Sequence, residues 1–448
     1  MDHDTRAGQR QVHPPCVPAT RLRHPPARRR LLPETSFRLA MTFGKIAFRN
    51  VRRNGRRTGL TVFIIAVGLA TLVMSNGLYD GFHEKMVTNA VRIFMGHLQV
   101  HGAGFHANPT VENCVEPLPD EVRHGHPAIA ASARRVRFQA LASTPTNSLG
   151  VIVIGIEPDA EAAVTFLRRS ITDGTYLPDT QDGRRSCLVG ETLFRTLRLS
   201  LHEKLILISQ AADGSLAAEA FRVSGIVRTG NPEIDRSFVW IPLAAAQEML
   251  AYGTKISETV FLARRADDVP AVQEYLVRKT AGLGLEVLSW KEVAPDIVQL
   301  IELDIAMQRV LMLIISIIVG MAIMNTMLMA LQERYAEFGV LLAMGTTPAQ
   351  IVGMVLAESL LIGILGVAAG LALTAAAGIY FYGHGVNLAS FAAGVAKFIG
   401  METTVRPLMK PGQIVASCLA VLTSTTLISL IPACRAAKMN AIQALRHI

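Results

Sequence analysis

The chain has few of the features that mark a soluble enzyme. Of its 448 residues only 18% are charged and 6% are aromatic, and it holds two Trp and five Cys. Half of it is hydrophobic, with a mean hydropathy of +0.35, a composition that puts a membrane protein ahead of a soluble globular one. There is no Gly-rich phosphate loop: the only Gly-Lys pair, Gly44-Lys45, is followed by Ile46, so the chain lacks a Walker-type nucleotide cradle. His83-Glu84 and His202-Glu203 each begin a zinc-protease pattern, but positions 87 and 206 are Val and Ile, not the second His. No GxSxG nucleophile elbow is present either, so catalysis has little support. The cysteines, Cys16, Cys114, Cys187, Cys418 and Cys434, show no CxxC spacing, and a metal site is not expected. Cys114 and Cys187 read either as a disulfide or as two buried thiols. Cys418 and Cys434 read as small packing residues.

The net charge of +9 is unevenly placed. Residues 1–40 carry eight Arg against Asp2, Asp4 and Glu34, and residues 41–59 add Lys45, Arg49, Arg52, Arg53, Arg56 and Arg57 with no acid, leaving residues 60–448 slightly acidic. Basic charge gathered on one side of an apolar segment is a cytoplasmic membrane flank and not a nucleic-acid groove. No nucleic-acid partner is expected.

Leu60–Tyr79 is twenty residues without a charge, Val310–Leu331 twenty-two and Pro411–Cys434 twenty-four, while Ile351–Tyr382 contains only Glu358. Each is long enough to cross roughly 30 Å of hydrocarbon as a helix. Four spans starting inside place both termini in the cytoplasm, in agreement with Arg435, Lys438 and Arg446 in the tail. A signal peptide is the competing reading of the first run, disfavoured by its length and by the lack of a clean cleavage site. Residues 1–40, with six Pro and eight Arg, cannot bury a core and read as a disordered extension or a start assigned too early, Met41 being the other candidate.

The expected organisation is an amphipathic lead-in over 41–59, spans at 60–80, 304–331, 351–382 and 411–434, an outside domain over 81–303, a cytoplasmic segment over 332–350, an outside loop over 383–410 and a tail over 435–448. The fold class is therefore an α-helical membrane protein with four transmembrane helices and a large mixed α+β extracytoplasmic domain. Strands are expected at 91–100, 149–156, 204–208, 221–227 and 259–263, and helices at 191–197, 243–250 and 269–276. Trp240 and Trp290 fall in this domain; Tyr380 and Tyr382 are the candidates for a membrane belt.

From Asn325 to Gly363 the chain reads NTMLMALQERYAEFGVLLAMGTTPAQIVGMVLAESLLIG. This resembles the permease subunits of the MacB, LolC/LolE and FtsX superfamily of ABC transporters, whose second span runs into a cytoplasmic Glu-Arg-x-x-Glu-hydrophobic-Gly motif. The matching residues are Glu333, Arg334, Glu337, Phe338 and Gly339, followed by Met344-Gly345 and Glu358. The ends, Phe43–Thr58 and Pro432–Arg446, look like the same family. Val223–Leu243, with Thr229, Gly230, Asp235 and Pro242, is similar to the outside domain of the lipoprotein-releasing LolC and LolE branch. One departure is Val340-Leu341-Leu342, where the family usually carries a basic residue. The resemblance implies a bacterial inner-membrane permease dimer, with a second copy or a paralogue. It also implies a separate cytoplasmic ATPase pair that binds the ATP, so that the chain needs no cofactor of its own. A lipoprotein substrate and a periplasmic carrier complete the implied partners. Export of a lipid, peptide or drug, or an FtsX-like scaffold that activates a cell-wall hydrolase, are the alternatives.

The residues support this without the name. Phe338, Leu341 and Leu342 on one side of a short helix, and Gln332, Glu333 and Glu337 on another, suit an interfacial helix that docks on a soluble partner or simply caps the bundle. Gly339 and Gly345 permit close approach or a helix end. Gly366, Gly370, Thr374 and Gly378 form a small-residue stripe for helix packing, within the bundle or at a dimer seam. Glu358 is expected near the cytoplasmic boundary, paired with an Arg such as Arg52 or Arg53.

Overall fold

The computed structural model describes residues 49, 55–178, 185–387 and 404–438. Residues 1–40 with Cys16, the lead-in up to residue 54 apart from Arg49, the loop over 388–403 and the tail beyond 438 lie outside the described residues. Among the described residues, four helices are long and apolar enough to cross a membrane: the first spans Gly55–Ala90, the second Pro295–Glu333, the third Pro348–His384 and the fourth Pro411–Ala437. The third packs on the first and fourth, and the second on the same two. Their shared core is Ile65, Leu69, Val73, Ile323, Met327, Ile362, Val367 and Val421.

The first two helices run past their apolar stretches. At 1.5 Å per residue, their 36 and 39 residues reach roughly 54 and 58 Å, well over the ~30 Å of hydrocarbon. The surplus forms a paired stalk toward the large domain, so the expected limits at 81 and 303 fall inside helices. Polar pairs mark the level where the stalk begins: Gln308 donates to Asn76 at 3.0 Å, Lys410 meets Asp80 at 3.1 Å, and His83 meets Asp304 at 2.6 Å. At the opposite end Arg57 pairs with Glu333 at 2.5 Å. The twenty-six residue steps from Arg57 to His83 span roughly 39 Å, close to a bilayer with its headgroups.

One expected element is corrected here. The β-branched run from Val91 does not start a strand; Val91–Met95 is a π-helical turn that continues the first helix. Gly96, at φ 68°, closes it by donating its N–H to the Val91 carbonyl at 2.8 Å, and a Cβ there would overlap Val260. Only then does strand β1, Leu98–Gly102, begin.

The domain is one ten-stranded sheet. After β1 come β2 Ile129–Ser143, β3 Ser148–Ile156, β4 Ile171–Gly174, β5 Ser186–Gly190, β6 Lys204–Gln210, β7 Leu216–Val227, β8 Phe238–Pro242, β9 Glu258–Ala263 and β10 Leu285–Ser289. Strands β2, β3, β8, β5, β7 and β6 pair in turn, and β6 pairs back onto β2, so this half closes on itself. Its interior is apolar, with Phe138, Val153, Leu205, Phe221 and Ile241 among the buried residues. Strand β4 adds to β7 at one edge, β9, β1 and β10 extend the sheet from β2 in the order β2-β9-β1-β10, and helix Val269–Thr280 covers a second core there through Val272 and Leu276. The expected helices near 191, 243 and 269 are present at Glu191–Thr196, Leu243–Met249 and Val269–Thr280.

Strand β2 was not legible, because its sequence carries Arg134, Arg135 and Arg137. The reason is a buried ion network. Arg135, 1% exposed in its side chain, gives two hydrogen bonds to Glu161, at 2.9 and 2.6 Å, and one to the Phe94 carbonyl at 2.7 Å, with Glu258 at 3.5 Å. Buried charge is tolerated when paired and hydrogen-bonded in this way. The Phe94 bond fastens the end of the first helix to the sheet.

Candidate functional site

The second helix ends at Glu333, and Arg334 breaks from helical geometry at φ −107°, ψ 15°. A nine-residue helix, Tyr335–Ala343, follows. It stops at Gly345, whose φ of 91° lies in the left-handed region that favours glycine. Thr347 and Gln350 then form a capping box that starts the third helix. The short helix is thus held by a defined turn at each end, at the bundle end remote from the large domain.

Arg334 organises this turn. Its Nε donates to Glu337 at 2.9 Å, its Nη1 donates to Glu358 at 2.8 Å, and the guanidinium stacks over the Phe338 ring at 5.1 Å. Beside it Arg57 bridges to Glu333 and donates to the Thr326 carbonyl at 3.1 Å. The first helix, the second, the short helix and the third are therefore joined at one level by two arginines and three carboxylates. The sequence expectation for Glu358 is corrected in its partner: Arg52 and Arg53 lie outside the described residues, and Arg334 holds the carboxylate. Arg57 went unassigned; its signal was membership of the basic run before the first span.

The expected docking face also changes. Phe338 is 1% exposed and packs with Leu331, Ile351, Met354, Val355, Ala433 and Ala436, while Leu341 and Leu342 lie partly buried against the same cluster. Gly339 is buried as well. These residues seat the helix on its own bundle. What faces outward is Glu337, Val340 and Met344, with Met344 71% exposed and Val340 43%. Residues 337, 340 and 344 are spaced for one helix face, an apolar edge beside an acidic one.

The small-residue stripe is an internal seam. A Cβ on Gly366 would lie 2.5 Å from Ile65, one on Gly370 3.0 Å from Leu69, and one on Gly378 2.8 Å from Met409. Thr374 is buried among them and donates to the Gly370 carbonyl. The stripe lets the third helix approach the first. Tyr380 and Tyr382, beyond it, are well exposed.

In the large domain, Asp235 accepts from the Thr229 N–H and hydroxyl, both at 2.8 Å, and from the Gly230 N–H at 3.3 Å. Burial pushes its carboxyl above the usual range, against these hydrogen bonds from Thr229 and Gly230. Pro242 ends β8 opposite Ile156. This motif is a turn that positions β8, remote from the coupling segment in the fold. Cys114 and Cys187 are free thiols, and burial raises Cys187. Among the described residues no cluster of His, Cys, Asp and Glu is arranged to hold a metal.

Comparison with known proteins agrees with this layout. Residues 58–279 match the MacB-like periplasmic core domain and residues 309–441 the FtsX-like permease C-terminal domain. Over 342 residues, 75% of this chain and 80% of the relative, the chain is 22% identical to the lipoprotein-releasing system transmembrane protein LolC of Neisseria meningitidis serogroup B. It is 22% identical over 401 residues to LolE of the same system in Haemophilus influenzae, covering 85% and 92% of the two chains. With the macrolide export ATP-binding/permease protein MacB 2 of Yersinia pestis bv. Antiqua it shares 23% identity over 352 residues, 72% of this chain but 48% of that protein. With its four spans and a domain inserted after the first, the chain belongs to the MacB, LolC/LolE and FtsX superfamily of ABC transporter permeases.

Proposed function

We propose that this protein is the permease subunit of an inner-membrane ABC transporter whose ATP hydrolysis occurs on a separate cytoplasmic ATPase pair, and that the work done is release of lipoproteins from the outer leaflet toward a periplasmic carrier. In this reading both termini and the short helix lie in the cytoplasm, and the large domain lies outside. Movement of the ATPases against Glu337, Val340 and Met344 passes through Arg334 and Phe338 into the second and third helices, and from the first two along the stalk to the sheet.

The observation that carries the reading is the short helix itself. Its inner face is locked to the bundle by Phe338 and the Arg334 bonds, and its outer face carries exposed Val340 and Met344 beside Glu337. A rigid helix with one apolar edge in the aqueous phase suits a groove on a soluble partner. The likeness to LolC and LolE supports lipoprotein as the substrate class. The test is affinity purification of the tagged full chain from gently solubilised membranes, with mass spectrometry of what accompanies it. An ATPase and a lipoprotein in the sample support the reading. Recovery of the folded chain without any ATPase rejects it.

A further inference from the structure

Where the stalk begins, the first helix has a face turned away from the second. Gly81, Lys85 and Thr88 follow one another at helical spacing, while His83, which meets Asp304 of the second helix, is two positions from Gly81 and Lys85 and so roughly 200° away around the axis. Against that face lies the segment that leads into the fourth helix. Leu408 donates its N–H to the Gly77 carbonyl at 2.8 Å, a Cβ on Gly81 would overlap the Arg406 carbonyl, and Thr404–Val405 pairs with Val386–Asn387 just beyond the third helix. The elements fixed in this way border a cavity of about 620 Å³, within the roughly 300 to 1,000 Å³ of small-molecule sites. Its wall carries two cations, Lys85 and Arg406, the hydroxyls of Thr88, Thr404 and Tyr382, and one acid, Glu84.

We propose that this cavity holds the headgroup of a resident glycerophospholipid of the outer leaflet, with its phosphate on Arg406 and Lys85 and its amine, as in ethanolamine, against Glu84. The inference goes beyond the transporter reading: the lipid is a fixed part of the protein and not its cargo, and no ATPase is involved.

Height favours a lipid. The Asp80–Lys410 pair marks the end of the hydrocarbon, and Gly81 to Lys85 rise roughly 2 to 8 Å above it along the axis, which is about the depth of a headgroup layer. Tyr382, 67% exposed at the same end of the third helix, is the kind of side chain that sits at that level. The chemistry agrees. The Arg406 guanidinium is exposed and rests over the Tyr382 ring at 6.0 Å. A guanidinium held by its face binds by its edge, and a phosphate accepts two parallel N–H bonds there. Glu84 is exposed on the same wall as Lys85. A purely anionic ligand would be repelled by that carboxylate, whereas a headgroup with both a phosphate and an ammonium answers both signs of charge.

The test uses the tagged full chain, purified in mild detergent and incubated with phosphatidylethanolamine, phosphatidylglycerol or inorganic phosphate, with the phospholipid retained per chain read by native mass spectrometry. The unaltered chain should keep phosphatidylethanolamine in preference to phosphatidylglycerol. Arg406→Ala should cut retention about tenfold, the worth of a hydrogen bond to a charged group. Arg406→Lys should lose less, because the charge remains and only the paired donors go. Glu84→Gln should abolish the preference for the ethanolamine headgroup while phospholipid still binds. Arg309→Ala removes an exposed arginine next to Gln308 on the second helix, near the same height, and should change nothing. Each of these variants should melt as the unaltered chain does, since Glu84, Arg309 and Arg406 are all exposed. Retention that ignores Arg406, or that falls as far with Arg309→Ala, overturns the site. Inorganic phosphate that displaces the phospholipid at equal concentration overturns the lipid as its ligand in favour of a free anion.

Discussion

Arg334 and Glu358, twenty-four positions apart, meet at 2.8 Å between the end of the second long helix and the third. Their side chains are 10% and 17% exposed, so the pair is mostly withdrawn from water while the same guanidinium also holds Glu337. One arginine thereby sets the angle of the short helix against the bundle.

Removing the cation alone should be costly. Arg334→Ala leaves Glu358 without its partner and is expected to destabilise the bundle by about 3 kcal/mol. Glu358→Gln keeps an acceptor and should cost about 1 kcal/mol. Thermal unfolding in detergent, with the exchanged pair Arg334→Glu, Glu358→Arg as a third variant, checks the order. A wild-type melting curve for Arg334→Ala would remove the pair from the account.

The two faces of the short helix should separate stability from partner binding. Phe338→Ala empties a buried site and should cost about 3 to 5 kcal/mol. Val340→Asp and Met344→Asp touch only the exposed edge, so stability should move by less than about 0.5 kcal/mol while co-purification of the ATPase falls at least tenfold. The comparison is unfolding midpoint against ATPase recovered per mole of permease.

Close approach of the first and third helices makes Gly366 sensitive to one methyl group. Gly366→Ala should destabilise by about 1 to 3 kcal/mol through overlap with Ile65. Ile65→Ala, which empties a buried site, should itself cost about 2 to 5 kcal/mol, and because the added and deleted atoms face each other the double variant should lose clearly less than the sum of the two single losses. Strictly additive losses would mean that the seam is not as described.

The Asp235 turn should matter for the sheet and not for coupling. Asp235→Ala strands the Thr229 and Gly230 N–H groups and should cost about 2 to 3 kcal/mol. Glu191→Ala, which removes exposed bridges to Arg228 and Arg195, should cost less than about 1 kcal/mol. Hydrogen exchange at Phe238–Pro242 reads the difference, with ATPase recovery unchanged in both.

The four apolar runs, the basic flank before the first and the size of the domain after it were all present in residue order. A membrane span depends only on local length and lack of charge, so Leu60–Tyr79 and Val310–Leu331 needed no tertiary information. Strands such as Ser148–Ile156 and Glu258–Ala263 also announced themselves by β-branched runs. The run from Val91 misled for the same reason, since local propensity cannot tell that a long helix is already under way and ends only where Gly96 can turn.

Tertiary structure alone decided what each polar or small residue does. Three arginines hid β2 because their partners, Glu157 for Arg134, Glu161 and Glu258 for Arg135 and Glu258 for Arg137, come from distant positions, and burial of charge depends on such partners being delivered in space. Likewise Phe338 belongs to the bundle and Val340 and Met344 to the outside, a division that follows from which helix faces pack and that helical spacing by itself leaves open. Glu358 shows both halves at once. An acid in an apolar run had to find a cation near the membrane boundary; that the cation is Arg334, and so a tie between two spans, follows only from where the turn at Glu333 places it.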